Sequence, residues 1–196
     1  MTHEKPIDAS VTGGGAAEPG LSKDELALAI RVSTEEVFST MLGLDLAVGE
    51  VYVAKDSVEP SSGVVSIVGF AGPWVGSGSL YCSGPFACKI ASFFLQEQFA
   101  AVNEDVLDSV AELTNMIIGN VKTHLENRLG AMGLSTPTVI YGRNFQTRSV
   151  RNQEWTVVPF TLDGDRMCVQ MCIMPNPDET HQTKRAGFPI PHVLSI

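Results

Sequence analysis

The longest amphipathic pattern in the chain runs from about residue 103 to Leu129. At roughly 100° per residue, Val106, Val110, Leu113, Ile117 and Val121 fall on one stripe, widened by Ile118 and Leu125. This predicts a long helix with one face on a core. Asn103 can cap it, Glu104 and Asp105 suit its positive end, and Gly130 and Gly133 close it. An earlier helix is predicted from the capping box Ser22–Glu25, with Leu26, Ile30, Val37 and Met41 at helical spacing and Gly43 as its stop. Between the two, Pro85 fits a first helical turn, and KIASFFLQEQF continues that helix to about residue 99.

Strands are predicted from β-branched and aromatic runs set between Gly- and Pro-rich breaks. Three precede the middle helix: 51–55, 64–70 and 78–83, read as an antiparallel meander. Three follow the long helix: 137–142, 155–162 and 166–174, the last two a hairpin through Asp163–Gly164. The order is helix, three strands, two helices, three strands. Such clustering predicts an α+β fold, mainly antiparallel, with long helices packed on the sheet. Residues 1–20 lack periodicity and read as a disordered tail, 21–175 as one domain, and 176–196 as a C-terminal extension whose GFPIPHVLSI is apolar enough to dock.

Composition narrows the function. Hydrophobic residues make up 44% of 196 positions, enough for a real core, while a net charge of −9 argues against nucleic acid. No run approaches a membrane span, and no charged-then-apolar leader opens the chain, so a soluble, cytoplasmic protein is expected. Cys82, Cys88, Cys168 and Cys172 form no CxxC, and His3, His181 and His192 fall in the tails. Buried reduced thiols are therefore expected rather than a metal site or disulfide.

The candidate chemistry lies on the polar side of the long helix. Asp108, Glu112, Asn115 and Gly119 project together, opposite the apolar stripe, within about 60° of one another. A solvated face explains Asp and Glu without further assumption. It does not explain Asn, a poor helix former, or an interior Gly costing about 1 kcal/mol against Ala. Glycine also allows another protein's backbone to approach. No Ser, Cys or His arrangement for nucleophilic catalysis adjoins them, and His124 projects toward the apolar stripe as a packing residue. An amide can orient a water, and a carboxylate can pair with a partner's cation. Together they suit water-directed attack on an electrophile that another molecule supplies.

The run DSVAELTNMIIGN, with STPTVIYG after it, resembles the CheC/CheX/FliY phosphatases of bacterial chemotaxis, closest to the CheX type. Asp108, Glu112, Asn115 and Pro137 match that motif, with 21 residues between Asn115 and Pro137. This gap is about one residue short of the family spacing. The resemblance covers about residues 22–175. It implies dephosphorylation of the aspartyl phosphate of a CheY-like response regulator, Glu112 anchoring the partner through its active-site lysine and Asn115 positioning the attacking water. It places Asp108 and Gly119 on the partner-binding face and gives Pro137 a structural role at a strand start. It implies a Mg²⁺ held by the regulator rather than by this chain, and a homodimer. A second ExxN pair would fall on the first helix, where Glu36 is followed by Ser39 and Glu35 by Phe38, so one site is expected. The alternative is a non-enzymatic regulator-binding or flagellar-switch-like adaptor that kept this face.

Overall fold

The computed structural model describes residues 20–55, 62–143 and 154–178. Nearly all of the predicted N-terminal tail and of the C-terminal extension, with His3, His181 and His192, lies outside these residues. Helix α1 (Lys23–Val37) opens on the expected capping box. Ser22 Oγ accepts from the Glu25 amide at 3.2 Å, and the Glu25 carboxylate accepts from the Ser22 amide at 2.9 Å. A π-helical turn, Phe38–Leu42, then ends at Gly43, whose φ of 66° is the left-handed stop that glycine favours. That turn corrects the predicted stripe. Its wider winding buries Phe38 and Leu42 and turns Met41 out to solvent.

Helix α2 (Gly84–Leu95) starts at Ser83, with Pro85 in its first turn. It stops short of the predicted end because Gln96 turns left-handed, at φ 55°. Helix α3 (Glu104–Leu129) is capped by Asn103, whose Oδ1 accepts from the Val106 amide at 3.0 Å.

The strands are β1 (Ala47–Val48), β2 (Tyr52–Ala54), β3 (Ser62–Ala71), β4 (Trp74–Cys82), β5 (Gly133–Leu134), β6 (Thr138–Arg143), β7 (Trp155–Leu162) and β8 (Asp165–Pro175). They form one antiparallel sheet, so the α+β architecture is as expected. β3 pairs with β4, β4 with β8 and β8 with β7, while β5 and β6 line the outer side of β3. The predicted meander does not form: β1 and β2 pair with β7, at the far side of the sheet from β3. Gly133 begins β5 rather than closing the helix. The β7–β8 hairpin turns through Asp163 and Gly164 at φ 51° and 87°, the two positive values of a type I′ turn.

This pairing makes the sheet repeat itself about a near-twofold axis between β4 and β8. Exchanging β1/β2 with β5/β6, β3 with β7 and β4 with β8 leaves the pairing pattern unchanged, and α1 exchanges with α3. All three helices cover one face and share a core that includes Ile30, Phe86, Leu113 and Phe160. On the opposite face Trp155, Val157, Cys168 and Cys172 cluster. All four cysteines are buried, as expected.

Electrostatic ties fasten the helix ends. Glu25 meets Arg128, joining the start of α1 to the end of α3, and Glu126 accepts from the Met132 amide at 3.0 Å. The Ser22 amide holds the Glu25 carboxyl below its ordinary value of 4.5, and Lys122 and the Met132 amide do the same for Glu126. A depressed carboxylate contributes stability above its unfolded pKa and loses it as pH falls through the folded value. The melting temperature should therefore fall on acidification below pH 4.5, the ordinary glutamate value. Glu25→Gln should flatten part of that decline in thermal melts; an unchanged acid limb would contradict the assignment.

Candidate functional site

The site is built on α3, whose inner residues Val106, Val110, Leu113, Ile117, Ile118 and Val121 are fully buried. That line fixes which side chains face out. Asp108 and Glu112 are exposed, and Asn115 and Gly119 are half-buried beside them. The face expected from the spacing is thus present. Among the described residues, no side-chain hydrogen bond or ion pair engages Asp108, Glu112 or Asn115.

Further along the same line the polarity is already used. Lys122 Nζ lies 2.7 Å from Glu126 Oε1, and Glu126 also caps the Met132 amide. A carboxylate and an amide one turn apart therefore stand open, next to a segment whose charges are closed on each other. Spacing of i to i+4 in the sequence could have flagged the Lys122–Glu126 pair.

A close approach seats α3 on the sheet. A Cβ at Gly78 on β4 would overlap Ile118 Cδ1 and come within 3.0 Å of its Cγ1, so α3 sits close to the sheet because this residue has no side chain. Sequence reading did not single out Gly78; the signal was a glycine inside a strand pattern. On the other side the chain after β5 is clipped to β3. The Gly69 amide donates to Ser135 Oγ at 2.9 Å and the Ser135 amide to Gly69 O at 2.8 Å. Pro137 is half-buried just ahead of Thr138, the first β6 residue paired to β3, where a missing N–H costs no ladder bond. A Cβ at Gly119 would meet Leu134 Cδ1 at 3.8 Å, an ordinary contact, so the fold does not demand glycine there.

His124 corrects an expectation. The buried line shifts round the helix through Val121, Leu125 and Leu129, which leaves His124 exposed, its Nδ1 3.2 Å from Ser33 Oγ on α1. Among the described residues, no group of three or more His, Cys, Asp or Glu side chains is placed to hold a metal ion.

The near-twofold repeat also refines the register of α1 against α3. Thr34 Oγ1 donates to Ile30 O and Thr114 Oγ1 to Val110 O, each at 2.7 Å, and the buried pairs 29–30, 33–34 and 37–38 match 109–110, 113–114 and 117–118. Leu28, Val32 and Glu35 then stand where α3 has Asp108, Glu112 and Asn115. Glu36 and Ser39 are one turn removed from that match.

Comparison with known proteins agrees with the fold. The model of the chemotaxis phosphatase CheX family matches residues 64–161, a span holding Asp108, Glu112, Asn115 and Pro137. The chain belongs to this family. The chemotaxis protein CheX of Vibrio vulnificus is 26% identical with a TM-score of 0.69, covering 76% of this chain and 99% of its own. CheX of Desulfovibrio desulfuricans is likewise 26% identical, with a TM-score of 0.67 over 76% of this chain and 99% of its own. The CheX–CheY–BeF₃–Mg²⁺ complex of Borrelia burgdorferi is 28% identical, with a TM-score of 0.59 over 74% of this chain and 96% of that one. No curated protein sequence matches the chain.

Proposed function

We propose that the protein is a phosphatase that hydrolyses the aspartyl phosphate of a CheY-like response regulator. The observation that carries this reading is the open Glu112–Asn115 pair on the outer face of α3, in a family with a relative crystallised on CheY. Glu112 pairs with the regulator's active-site lysine and fixes the approach. Asn115 enters the regulator's site and orients a water through its carbonyl oxygen and amide. The water oxygen bonds to phosphorus, the bond from phosphorus to the aspartyl oxygen breaks, and phosphate leaves with the aspartate regenerated. A Mg²⁺ ion belongs to the regulator's site.

This chain supplies orientation rather than a nucleophile, an effect worth several kcal/mol when the geometry is right. Asp108 supports the docking face, and Gly119 leaves room for a closely seated partner. A cytoplasmic homodimer whose working domain is residues 21–175 completes the proposal.

The test is to mix the purified protein with a phosphorylated CheY-like regulator and follow phosphate loss; an unchanged regulator lifetime would overturn the reading. Glu112→Ala should weaken binding to the regulator loaded with beryllofluoride and Mg²⁺ by about 10- to 100-fold, the scale for losing one partner of a close charge pair. Isothermal titration checks this, and a loss of turnover at unchanged affinity would remove Glu112 from the anchoring role.

A further inference from the structure

The strand run after α3 carries one residue more than its partner. Phe70 and Ala71 of β3 pair with Leu134 and Gly133 of β5, whereas Ile67 pairs with Thr138 of β6. Three residues, Ser135, Thr136 and Pro137, therefore stand opposite two, Val68 and Gly69. This is a β-bulge, and bulges gather at sheet edges and beside active sites, where they re-aim a side chain. Pro137 has no N–H to give a ladder, which suits a bulge better than a regular strand.

The Ser135 side chain closes the bulge. Its Oγ accepts from the Gly69 amide at 2.9 Å and donates to Thr136 O at 3.0 Å, while its own amide donates to Gly69 O at 2.8 Å. One hydroxyl thus takes the Gly69 amide, which a regular strand would satisfy with a carbonyl.

The bulge lies level with Asn115, because β5 and β6 run back along α3. Leu134 Cδ1 is 3.8 Å from the place of a Cβ on Gly119, and further back Val102 and Tyr141 both reach Gly84, at 3.4 and 3.8 Å from a Cβ there. At helical rise the stretch from Gly119 to Val102 spans about 25 Å, and at strand rise that from Leu134 to Tyr141 spans about 23 Å. The two keep step. Asn115, one turn or about 6 Å back from Gly119, then falls beside the second residue after Leu134, which is Thr136. Thr136 is exposed, like Glu112 on the helix.

We propose that the bulge is the second wall of the regulator's docking site, with Ser135 as the positioning residue that holds Thr136 beside Asn115. The inference rests on the phosphatase reading given above. The regulator seats over Gly119, between the outer face of α3 and the bulge, and touches Thr136. Ser135 meets neither the regulator nor the reacting atoms; it fixes the wall through the Gly69 amide and the Thr136 carbonyl. A contact made equally in the bound complex and the transition state governs KM and leaves kcat in place.

The test follows phosphate loss from the phosphorylated regulator at rising regulator concentration, well below the thermal transition. Ser135→Ala and Thr136→Ala should each raise KM about tenfold and keep kcat within about twofold. Affinity for the regulator loaded with beryllofluoride and Mg²⁺, read by isothermal titration, should fall in step. A lower melting temperature at unchanged KM would make the clip purely structural and overturn the proposal. A fall in kcat at unchanged KM would overturn it as well. Thr136→Ala leaves every bond of the clip in place, so it decides the matter even where Ser135→Ala fails to fold. Wild-type protein that leaves the regulator's lifetime unchanged would overturn the phosphatase reading and this proposal with it. An active wild type whose KM neither substitution moves would overturn this proposal alone.

Discussion

Asn115→Ala is expected to abolish accelerated dephosphorylation of the regulator while leaving the fold intact. The amide has no side-chain partner among the described residues, so its removal strands no buried group. Alanine is the better helix former by about 0.5 kcal/mol, and the melting temperature should hold or rise slightly. The rate should fall by about 100-fold or more, because a water no longer held in line forfeits the orientation on which the mechanism depends. Single-turnover phosphate release, read beside a thermal melt, separates the two effects. A variant that retains its rate would remove Asn115 from the mechanism, and one that loses rate only by unfolding would leave the proposal without its central support.

Gly78→Val tests the seat of the helix rather than its face. The added carbons would press into Ile118 from beneath α3, in a core with little room to yield. Overpacking of this kind costs about 1–3 kcal/mol, a fall of roughly 3–10 °C in the melting temperature for a chain of this size. The phosphatase rate, measured well below the transition, should drop too, because α3 carries both side chains of the proposed site and would be pushed outward. An unchanged melt would mean that α3 does not rest on Gly78.

These expectations differ in how visible they were in the sequence. The inner stripe of α3 was legible because helical period and burial coincide over most of its 26 residues. Once the stripe is placed, the position of Glu112 and Asn115 on the outer face follows. The capping box at Ser22 and the Asp163–Gly164 turn were legible for a similar reason, since each is decided by neighbours in sequence. The pairing of β2 was not. It joins Tyr52 to Val157, a contact set by the closing of the whole sheet, which no local pattern records. Met41 was misplaced because one π turn shifts every later residue round the helix without leaving a signature in composition. Gly78 carried a faint signal, a glycine in a strand, but its meaning lies in Ile118, forty residues away.

The near-twofold sheet has a consequence for valency. A framework built from two like halves presents two outward helices, and a duplicated site would let one chain engage two partners at once. Here the second helix shows Leu28 and Val32 where the first shows Asp108 and Glu112. On the proposed reading, a regulator that docks through Asn115 docks once on the described residues, and bridging two regulators would need two copies of the protein.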